Sequence, residues 1–182
     1  MNNIILEVLE FLDYLEILEF LFLIYLMIYY LNIGSNLDDR EGNLWAADLR
    51  LSLDLGLVTA RSSIVESEPW GFESDNGFLN MGIAVESRFS PIEALNIIHD
   101  IEHELNHGHS HRDADGNYVD RLVDIDIMAI DDLVIDLPSL QVPHRHLPHR
   151  DFFLKPMAEL APKWHHPTLH LTAQQMLDSL EQ

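Results

Sequence analysis

Four short segments after Met27 have the composition and the period of β-strands, and their order along the chain restricts the folds open to it. Each is rich in aliphatic or aromatic residues and is bounded by turn-forming residues. A helical pattern separates the first from the second and the third from the fourth, whereas a turn-rich loop joins the second to the third. The predicted strands are residues 28–33, 58–66, 78–87 and 121–130, and a further short strand at 133–135 is expected after the turn at Asp131-Asp132.

The helical segments carry recognisable start signals. Asp38 or Asp39 can cap the first helix, Pro91 can begin the second, and Thr172 can cap the last. The predicted helices run from these caps to about Leu55 and Asn106, over about 152–160, and over 173–180. The order β-α-β-β-α-β with additions predicts an α+β fold, a ferredoxin-like sandwich in which helices pack on a mainly antiparallel sheet.

The composition is that of a globular domain and excludes several kinds of chemistry. The chain has 182 residues, 47% of them hydrophobic, which is enough for one domain with its own core. It contains no cysteine, so disulfides and thiolate catalysis are excluded, and we expect a cytoplasmic protein. The net charge of −21 argues against a nucleic-acid-binding surface. Separately, we expect the protein to be a monomer.

Residues 1–26 differ from the rest of the chain. They carry five acidic residues spaced three apart among Leu, Ile, Phe and Tyr, and no basic residue. The unbroken apolar run at 20–31 has 12 residues, whereas a transmembrane helix requires about 20, so we expect no membrane span. A secretory signal is also not expected, because a basic region and a small-residue cleavage site are missing. We interpret 1–26 as an accessory helix or an appended stretch ahead of one domain at 27–182.

The strongest chemical signal is DRLVDIDIM at residues 120–128. On a strand, alternate side chains share a face, so Asp124 and Asp126 point the same way while Ile125 and Ile127 point to the core. Two neighbouring carboxylates repel each other, and hard divalent cations would offset that repulsion. The pattern alone leaves two interpretations open, a metal site and a solvated polar face of an edge strand.

A second metal-binding pattern is HELNHGHSH at residues 103–111. His103, Glu104 and His107 fit the H-E-x-x-H signature of zinc hydrolases, in which two histidines on one helix face bind the metal. His109 or His111 could offer a third ligand. A zinc hydrolase also requires a substrate cleft and a defined third ligand, which the sequence does not specify, so we treat this hypothesis as an alternative only.

Five segments occur in one order with consistent gaps. They are YLNIGSN at 30–36, SEPWGFESDNGFLN at 67–80, IEHEL at 101–105, DRLVDIDIM at 120–128 and VPHRHLPHRDFFLKPMAELAP at 142–162. Together they resemble the 6-hydroxymethyl-7,8-dihydropterin pyrophosphokinases of folate biosynthesis. The resemblance implies transfer of pyrophosphate from ATP to the pterin hydroxymethyl group, with release of AMP. A non-catalytic protein that sequesters metal ions with its His and Asp residues remains an alternative.

The resemblance also assigns roles to particular residues. It implies that Asp124 and Asp126 hold two Mg²⁺ ions and that Arg121 assists catalysis beside them. The residues that match ATP-binding positions of the family are His99, Glu102, His144 and Arg150. The residues that match or extend the pterin-binding positions are Ser67, Glu68, Trp70, Phe78, Asn80, Tyr118 and Phe152.

The chain departs from the family in the loop after the second helix. Family members commonly carry Gly-Arg there, and the arginine assists the transferred phosphates. Here the pair reads Gly108-His109, and the nearest arginine is Arg112. A neutral histidine is a poor substitute for a fixed guanidinium charge. We therefore include Arg112 among the candidate catalytic residues and leave open whether it takes over this role.

Overall fold

The computed structural model describes residues 26–110, 112 and 115–180. The four main strands are β1 (Met27–Ser35), β2 (Leu57–Ser67), β3 (Phe78–Ser87) and β4 (Asp124–Ile130), and a small hairpin follows with β5 (Ile135–Leu137) and β6 (Leu140–Val142). The helices are α1 (Arg40–Asp54), α2 (Pro91–Leu105), α3 (Asp151–Leu160) and α4 (Ala173–Leu180), with a 3-10 turn at Leu147–His149. The predicted extension at 1–26 lies outside the described residues except for Leu26.

The main sheet has the strand order β2-β3-β1-β4, and all neighbouring strands run antiparallel. Helices α1 and α2 cover one face of the sheet, where the larger core contains Leu31, Ile33 and Ile83. Helices α3 and α4 cover part of the other face through a second core with Phe153 and Trp164. The α+β architecture predicted from the sequence is therefore confirmed.

Gly82 allows the close approach of helix α3 to the sheet. A Cβ atom at this position of β3 would lie 2.5 Å from Cβ of Pro156 in α3, closer than real Cβ contacts allow. Pro156 is buried inside the helix and faces the strand. This packing keeps α3 tight against β2 and β3 and leaves the adjacent end of the same sheet face open. None of the described helices combines the length and the apolar character needed to cross a bilayer.

Two predicted boundaries were wrong, and side-chain hydrogen bonds explain one of them. The strand predicted at 121–130 begins only at Asp124, because asparagine side chains bind the backbone just before it. Asn36 Oδ1 accepts from Arg121 N at 2.9 Å, and Asn106 Oδ1 accepts from Val123 N at 3.1 Å. The short strand expected at 133–135 instead begins at Ile135 and pairs in the β5–β6 hairpin.

The first helix is capped by one of the two aspartates proposed for that role. Asp39 Oδ1 accepts a hydrogen bond from Gly42 N at 3.1 Å, so Asp39 is the N-cap. Asp38 has a φ of +53°, a left-handed conformation in the turn that leads from β1 into α1. At the second helix, Ser90 and Glu93 form a capping box ahead of Pro91.

Candidate active site

A cleft of about 1020 Å³ opens on the sheet face that α3 leaves uncovered. It lies where β1 and β2 end and β3 and β4 begin, and it continues past the edge of β4 to helix α2. The structure brings every predicted site residue to the lining of this cleft. They are Ser67, Glu68, Trp70, Phe78, Asn80, His99, Glu102, Arg112, Tyr118, Arg121, Asp124, Asp126, His144, Arg150 and Phe152.

The two aspartates of β4 lie together on the cleft side of the strand. Their side chains are partly exposed, whereas Ile125 and Ile127 between and after them are buried in the larger core. Arg121 Nη2 donates to Asp124 Oδ2 at 2.5 Å, and His144 Nε2 lies 3.8 Å from Asp126 Oδ1. Period-two alternation of β4 therefore places both carboxylates beside an arginine and a histidine.

Burial and mutual repulsion perturb the acidic groups of the cleft. Burial, and then the neighbouring Asp124 carboxylate, raise the pKa of Asp126 above its usual range. The same two causes raise the pKa of Glu102 to about 9, although its carboxylate accepts a hydrogen bond from Ile125 N at 2.7 Å. The cleft thus brings together acidic groups whose charged forms an added cation would stabilise.

His144 is neutral at physiological pH. Burial, and then the positive charge of Arg150, lower its pKa to about 4. Its Nε2 approach to Asp126 is therefore not an ion pair, and its ring packs edge-on against Phe153 at 5.1 Å between centroids. A neutral imidazole in this position can accept or donate a hydrogen bond without adding charge to the site.

Two arginines of the cleft have a side-chain donor that makes no hydrogen bond within the described residues. The Nε atoms of Arg121 and Arg150 are buried and have no hydrogen-bond partner among the residues that the structure describes. The guanidinium of Arg150 lies 4.0 Å from the ring centroid of Trp70 and 4.9 Å from that of Phe153. A buried guanidinium with open donors, oriented by aromatic stacking, fits an anionic oxygen ligand such as a phosphate.

Aromatic residues and amides line the end of the cleft next to β2 and β3. Phe72 packs edge-on to Phe78 with 6.3 Å between their ring centroids, and the ring centroid of Tyr118 lies 6.4 Å from that of Phe72. At the base of this end, Asn80 is 2% exposed and its Nδ2 donates to Ser67 Oγ at 2.9 Å. Flat apolar rings together with a buried amide are the surfaces that suit a planar heterocycle with polar edges.

The loop from 107 to 120 contributes Arg112 and Tyr118 to the cleft. Carbon Cζ of Arg112 lies 3.9 Å from the centroid of the Tyr118 ring, and Arg112 Nη1 donates to Gly116 O at 2.6 Å. His109 is exposed and does not line the cleft. Of the two residues considered for the role of the missing loop arginine, only Arg112 is placed at the site.

The geometry does not support the zinc-hydrolase alternative. Helix α2 ends at Leu105, and His107 follows it with a φ of +53°, so the two histidines of the motif do not share a helix face. Glu104 pairs with Arg50 of helix α1 instead of facing a metal site. His111 lies outside the described residues. Within the described ranges, no group of three or more His, Asp or Glu residues is arranged to hold a metal ion.

Several cleft residues were not identified from the sequence. Counting in steps of two along β1 puts Asn32 on the face opposite Leu31 and Ile33, but its position beside Asp126 follows only from the pairing of β1 with β4. The β5–β6 hairpin closes one side of the cleft with residues 136–141, but its three-residue strands are too short to give a periodic signal. Other lining residues that were not predicted are Phe72, Leu95, Ser110, Arg145 and His146.

Fold and cleft together indicate the class of small α+β domain whose cleft suits a phosphorylated ligand next to a planar ring. Comparison with known families specifies this further. A family model described as 7,8-dihydro-6-hydroxymethylpterin-pyrophosphokinase (HPPK) matches residues 30–162. The chain therefore belongs to this family, and the family, fold and enzyme class predicted from the sequence are confirmed.

Individual relatives give the extent of the similarity. The 2-amino-4-hydroxy-6-hydroxymethyldihydropteridine pyrophosphokinase of Porphyromonas gingivalis is 40% identical over 144 residues, 78% of this chain and 95% of the relative. The protein of the same name from Aquifex aeolicus is 37% identical over 138 residues, 76% of this chain and 82% of the relative. The solved HPPK-DHPS of Plasmodium falciparum matches with a TM-score of 0.67 at 15% identity, over 85% of this chain and 44% of that longer chain, which supports the fold alone.

Proposed function

We propose that this chain transfers a pyrophosphoryl group from ATP to the hydroxymethyl group of 6-hydroxymethyl-7,8-dihydropterin and releases AMP. One observation carries the proposal: a single cleft combines an aspartate pair, two arginines whose Nε donors have no partner in the described part of the chain, and aromatic rings together with a buried amide. These are the parts that phosphoryl-type transfer to a flat substrate requires, since such catalysis is mostly positioning and charge stabilisation.

The aspartate pair fits a divalent metal, and we assign two Mg²⁺ ions to Asp124 and Asp126. Both ligands offer carboxylate oxygen, the donor that Mg²⁺ prefers, and they face the cleft from one strand. Burial, and then the neighbouring Asp124, raise the pKa of Asp126, and a bound cation would offset both effects. When bound, Mg²⁺ would neutralise phosphate oxygens and help to align them for transfer.

The remaining charged residues act on ATP. Arg121 and Arg150 line the cleft, and their guanidinium groups would bind phosphate oxygens that approach the aspartates. His144, being neutral, would contact the nucleotide by hydrogen bonding. On helix α2, His99 and Glu102 line the cleft, and burial, followed by the neighbouring Asp124, raises the pKa of Glu102 to about 9, so its charged form is disfavoured there.

The aromatic end of the cleft would bind the pterin. Phe78 and Phe152 present ring surfaces for stacking, and Asn80 presents an amide to the edge of the heterocycle. Ser67 orients Asn80, since its Oγ accepts from Asn80 Nδ2. The residues that border this end and would enclose the ring are Glu68, Trp70 and Tyr118. Arg112, stacked on Tyr118, would supply the positive charge of the loop.

We also propose that the chain acts as a monomer in the cytoplasm. All fifteen predicted site residues lie in one cleft of one chain, so a partner subunit is not needed to complete the site. The absence of cysteine suits a reducing compartment. Light scattering after size-exclusion chromatography would check the first point, because a dimeric mass would contradict it.

Identification of the nucleotide product tests the proposed function directly. The full chain is incubated with Mg-ATP and 6-hydroxymethyl-7,8-dihydropterin, with the pterin omitted in a parallel sample. We expect AMP to accumulate in proportion to the pyrophosphorylated pterin, and only when the pterin is present. ADP as the product would indicate an ordinary kinase, and absence of turnover would favour a non-catalytic metal-binding protein.

A further inference from the structure

A row of polar side chains crosses all four strands of the main sheet on the cleft side. Ser67 of β2, Asn80 of β3, Asn32 of β1 and Asp126 of β4 follow one another across the row. Asn32 lies directly opposite Asp126 in the β1–β4 pairing, so their side chains are neighbours on one face. Asn32 Nδ2 donates to Asn80 Oδ1 at 3.2 Å, which joins the two amides.

The hydrogen bonds of this row determine which way each amide faces. Asn80 Nδ2 lies 3.4 Å from the carbonyl oxygen of Val65, and a carbonyl can only accept, so the NH₂ group of Asn80 must be on that side. Oδ1 of Asn80 is then directed to Asn32 and requires a donor there. Asn32 must therefore present its own NH₂ group to Asn80, and its Oδ1 is directed away from Asn80.

That oxygen is buried without a protein donor. Asn32 is 3% exposed, and its Oδ1 has no hydrogen-bond partner in the described part of the chain. A buried acceptor without a partner costs free energy, and such atoms in folded proteins usually have a specific reason. Because Asn32 lines the cleft, a donor on a bound ligand can satisfy the atom.

The position of Asn32 indicates which part of the ligand supplies this donor. Asn32 lies between Asn80, assigned to the edge of the pterin ring, and Asp126, assigned to the metal and phosphate side. The hydroxymethyl group is the part of the pterin that joins these two regions, since it projects from the ring and receives the pyrophosphoryl group. Its O–H is a hydrogen-bond donor.

We propose that Asn32 Oδ1 accepts a hydrogen bond from the hydroxymethyl O–H of the bound pterin, so that Asn32 selects for this group and orients it. The O–H points to the sheet, and the lone pairs of the same oxygen face the phosphate side. This inference rests on the proposed function, because it uses the pterin pose assigned above. Its role differs from that of Asn80, which acts on the ring.

Two ligands that differ by one oxygen atom test the inference. Binding of 6-hydroxymethylpterin and of 6-methylpterin is measured by calorimetry to the full chain, with Mg²⁺ and a non-hydrolysable ATP analogue present. We expect wild type to prefer the hydroxymethyl ligand by about tenfold, the value of one good hydrogen bond to a site built for it. In Asn32→Ala and Asn32→Leu, we expect the preference to fall to within about twofold, while the lost donor to Asn80 Oδ1 weakens both ligands alike and leaves the ratio of the two affinities to report on Asn32 Oδ1.

Controls separate this role from a structural one. Asn32→Leu keeps the branching and heavy-atom number of the side chain, so a loss of preference in both variants cannot come from a cavity alone. Ser62→Ala removes another buried polar group of the same sheet, a hydroxyl that accepts from Gly82 N outside the cleft lining, and should keep the wild-type preference. Thermal melting verifies that each variant is folded.

The outcomes are distinguishable. If both ligands lose affinity equally in the Asn32 variants, Asn32 acts only by holding Asn80 and the inference is overturned. If wild type binds both pterins equally, the inference is also overturned, while the proposed function stands; this comparison needs no variant and holds even if both variants fail to fold. If wild type binds neither pterin, the proposed function fails and the inference fails with it.

Discussion

Replacing Asp126 by asparagine should stabilise the metal-free protein while it abolishes turnover. The substitution keeps the size and shape of the side chain and removes one negative charge. In the folded protein, burial and the Asp124 carboxylate disfavour that charge, which raises the pKa of Asp126. A neutral amide at this position therefore relieves an unfavourable interaction that wild type retains at neutral pH.

The size of the stabilisation follows from the geometry. A pKa raised by one unit corresponds to about 1.4 kcal/mol between the two protonation states. The side chain of Asp126 is 30% exposed and Arg121 and Arg150 offset part of the repulsion, so solvent and these arginines limit the effect. We expect a gain of about 1–2 kcal/mol at pH 8, which for a domain of this length raises the melting temperature by roughly 3–6 °C.

Magnesium should reverse the order of the two proteins. Addition of Mg²⁺ at a hundredfold its dissociation constant stabilises a binding-competent protein by about 2.7 kcal/mol, which exceeds the advantage of the variant, and the variant should gain little. With Mg-ATP and pterin, turnover of Asp126→Asn should fall at least about a thousandfold, roughly 4 kcal/mol of lost transition-state stabilisation. Calorimetric melting with and without Mg²⁺ and a product assay give both quantities.

Asp132→Asn provides the matched control. Asp132 is an exposed residue of the turn after β4, outside the cleft lining, and its replacement changes the net charge by the same amount. It should alter neither the magnesium response nor the turnover. A turnover of Asp126→Asn within tenfold of wild type would refute the metal assignment. A melting temperature below that of wild type without Mg²⁺ would refute the repulsion argument.

Four further predictions follow from the same structure. The free energy of unfolding, measured with urea, should decrease as pH rises from about 5 to 9. Asp126 and Glu102 have raised pKa values in the folded state, about 9 for Glu102, so the folded protein binds more protons than the unfolded one. Glu102→Gln should make this pH dependence weaker. Amide exchange in loop 107–120 should slow when ATP analogue and pterin bind together, and equal rates would contradict a lid role. Arg112→Ala should reduce turnover. His109→Arg should raise turnover only if Arg112 does not already supply the charge of the loop arginine that His109 replaces. A protein that begins at Met27 should melt and turn over like the full chain, and a lower melting temperature would make 1–26 part of the fold.

The parts of the fold that alternation or helical spacing specifies were predictable from the sequence. The strand face of Asp124 and Asp126 follows from a period of two, and the resulting pair lines the cleft. The start of β4 was not predictable, because the side chains that end the strand pairing, Asn36 and Asn106, lie far away in the sequence. Propensity describes neighbours along the chain and carries no information on such distant partners.

The same limit explains why Asn32 was not recognised. In the sequence it is one polar residue in an apolar strand, and a buried asparagine there is unfavourable on its own. Its meaning depends on three other strands, which supply Ser67, Asn80 and Asp126 beside it. The resemblance to the family did not identify it, because the segments were matched to family roles and none was assigned to this position.

The unfavourable groups of this domain are concentrated on the cleft side of one sheet end. Asp126 carries a disfavoured charge, Asn32 Oδ1 is a buried acceptor without a protein donor, and the Nε atoms of Arg121 and Arg150 are buried donors without protein acceptors, all within the described residues. Packing of the two hydrophobic cores on either side of the sheet offsets the free-energy cost of these groups. A magnesium-bound triphosphate beside a hydroxymethyl group offers a cation to the carboxylates, phosphate oxygens to the guanidinium donors and a hydroxyl to the amide. The ligand would therefore give partners to polar groups that have none in the free protein. Binding should offset part of the free energy that burying these groups costs, and the free energy of unfolding should be markedly larger with the ligand bound than without it.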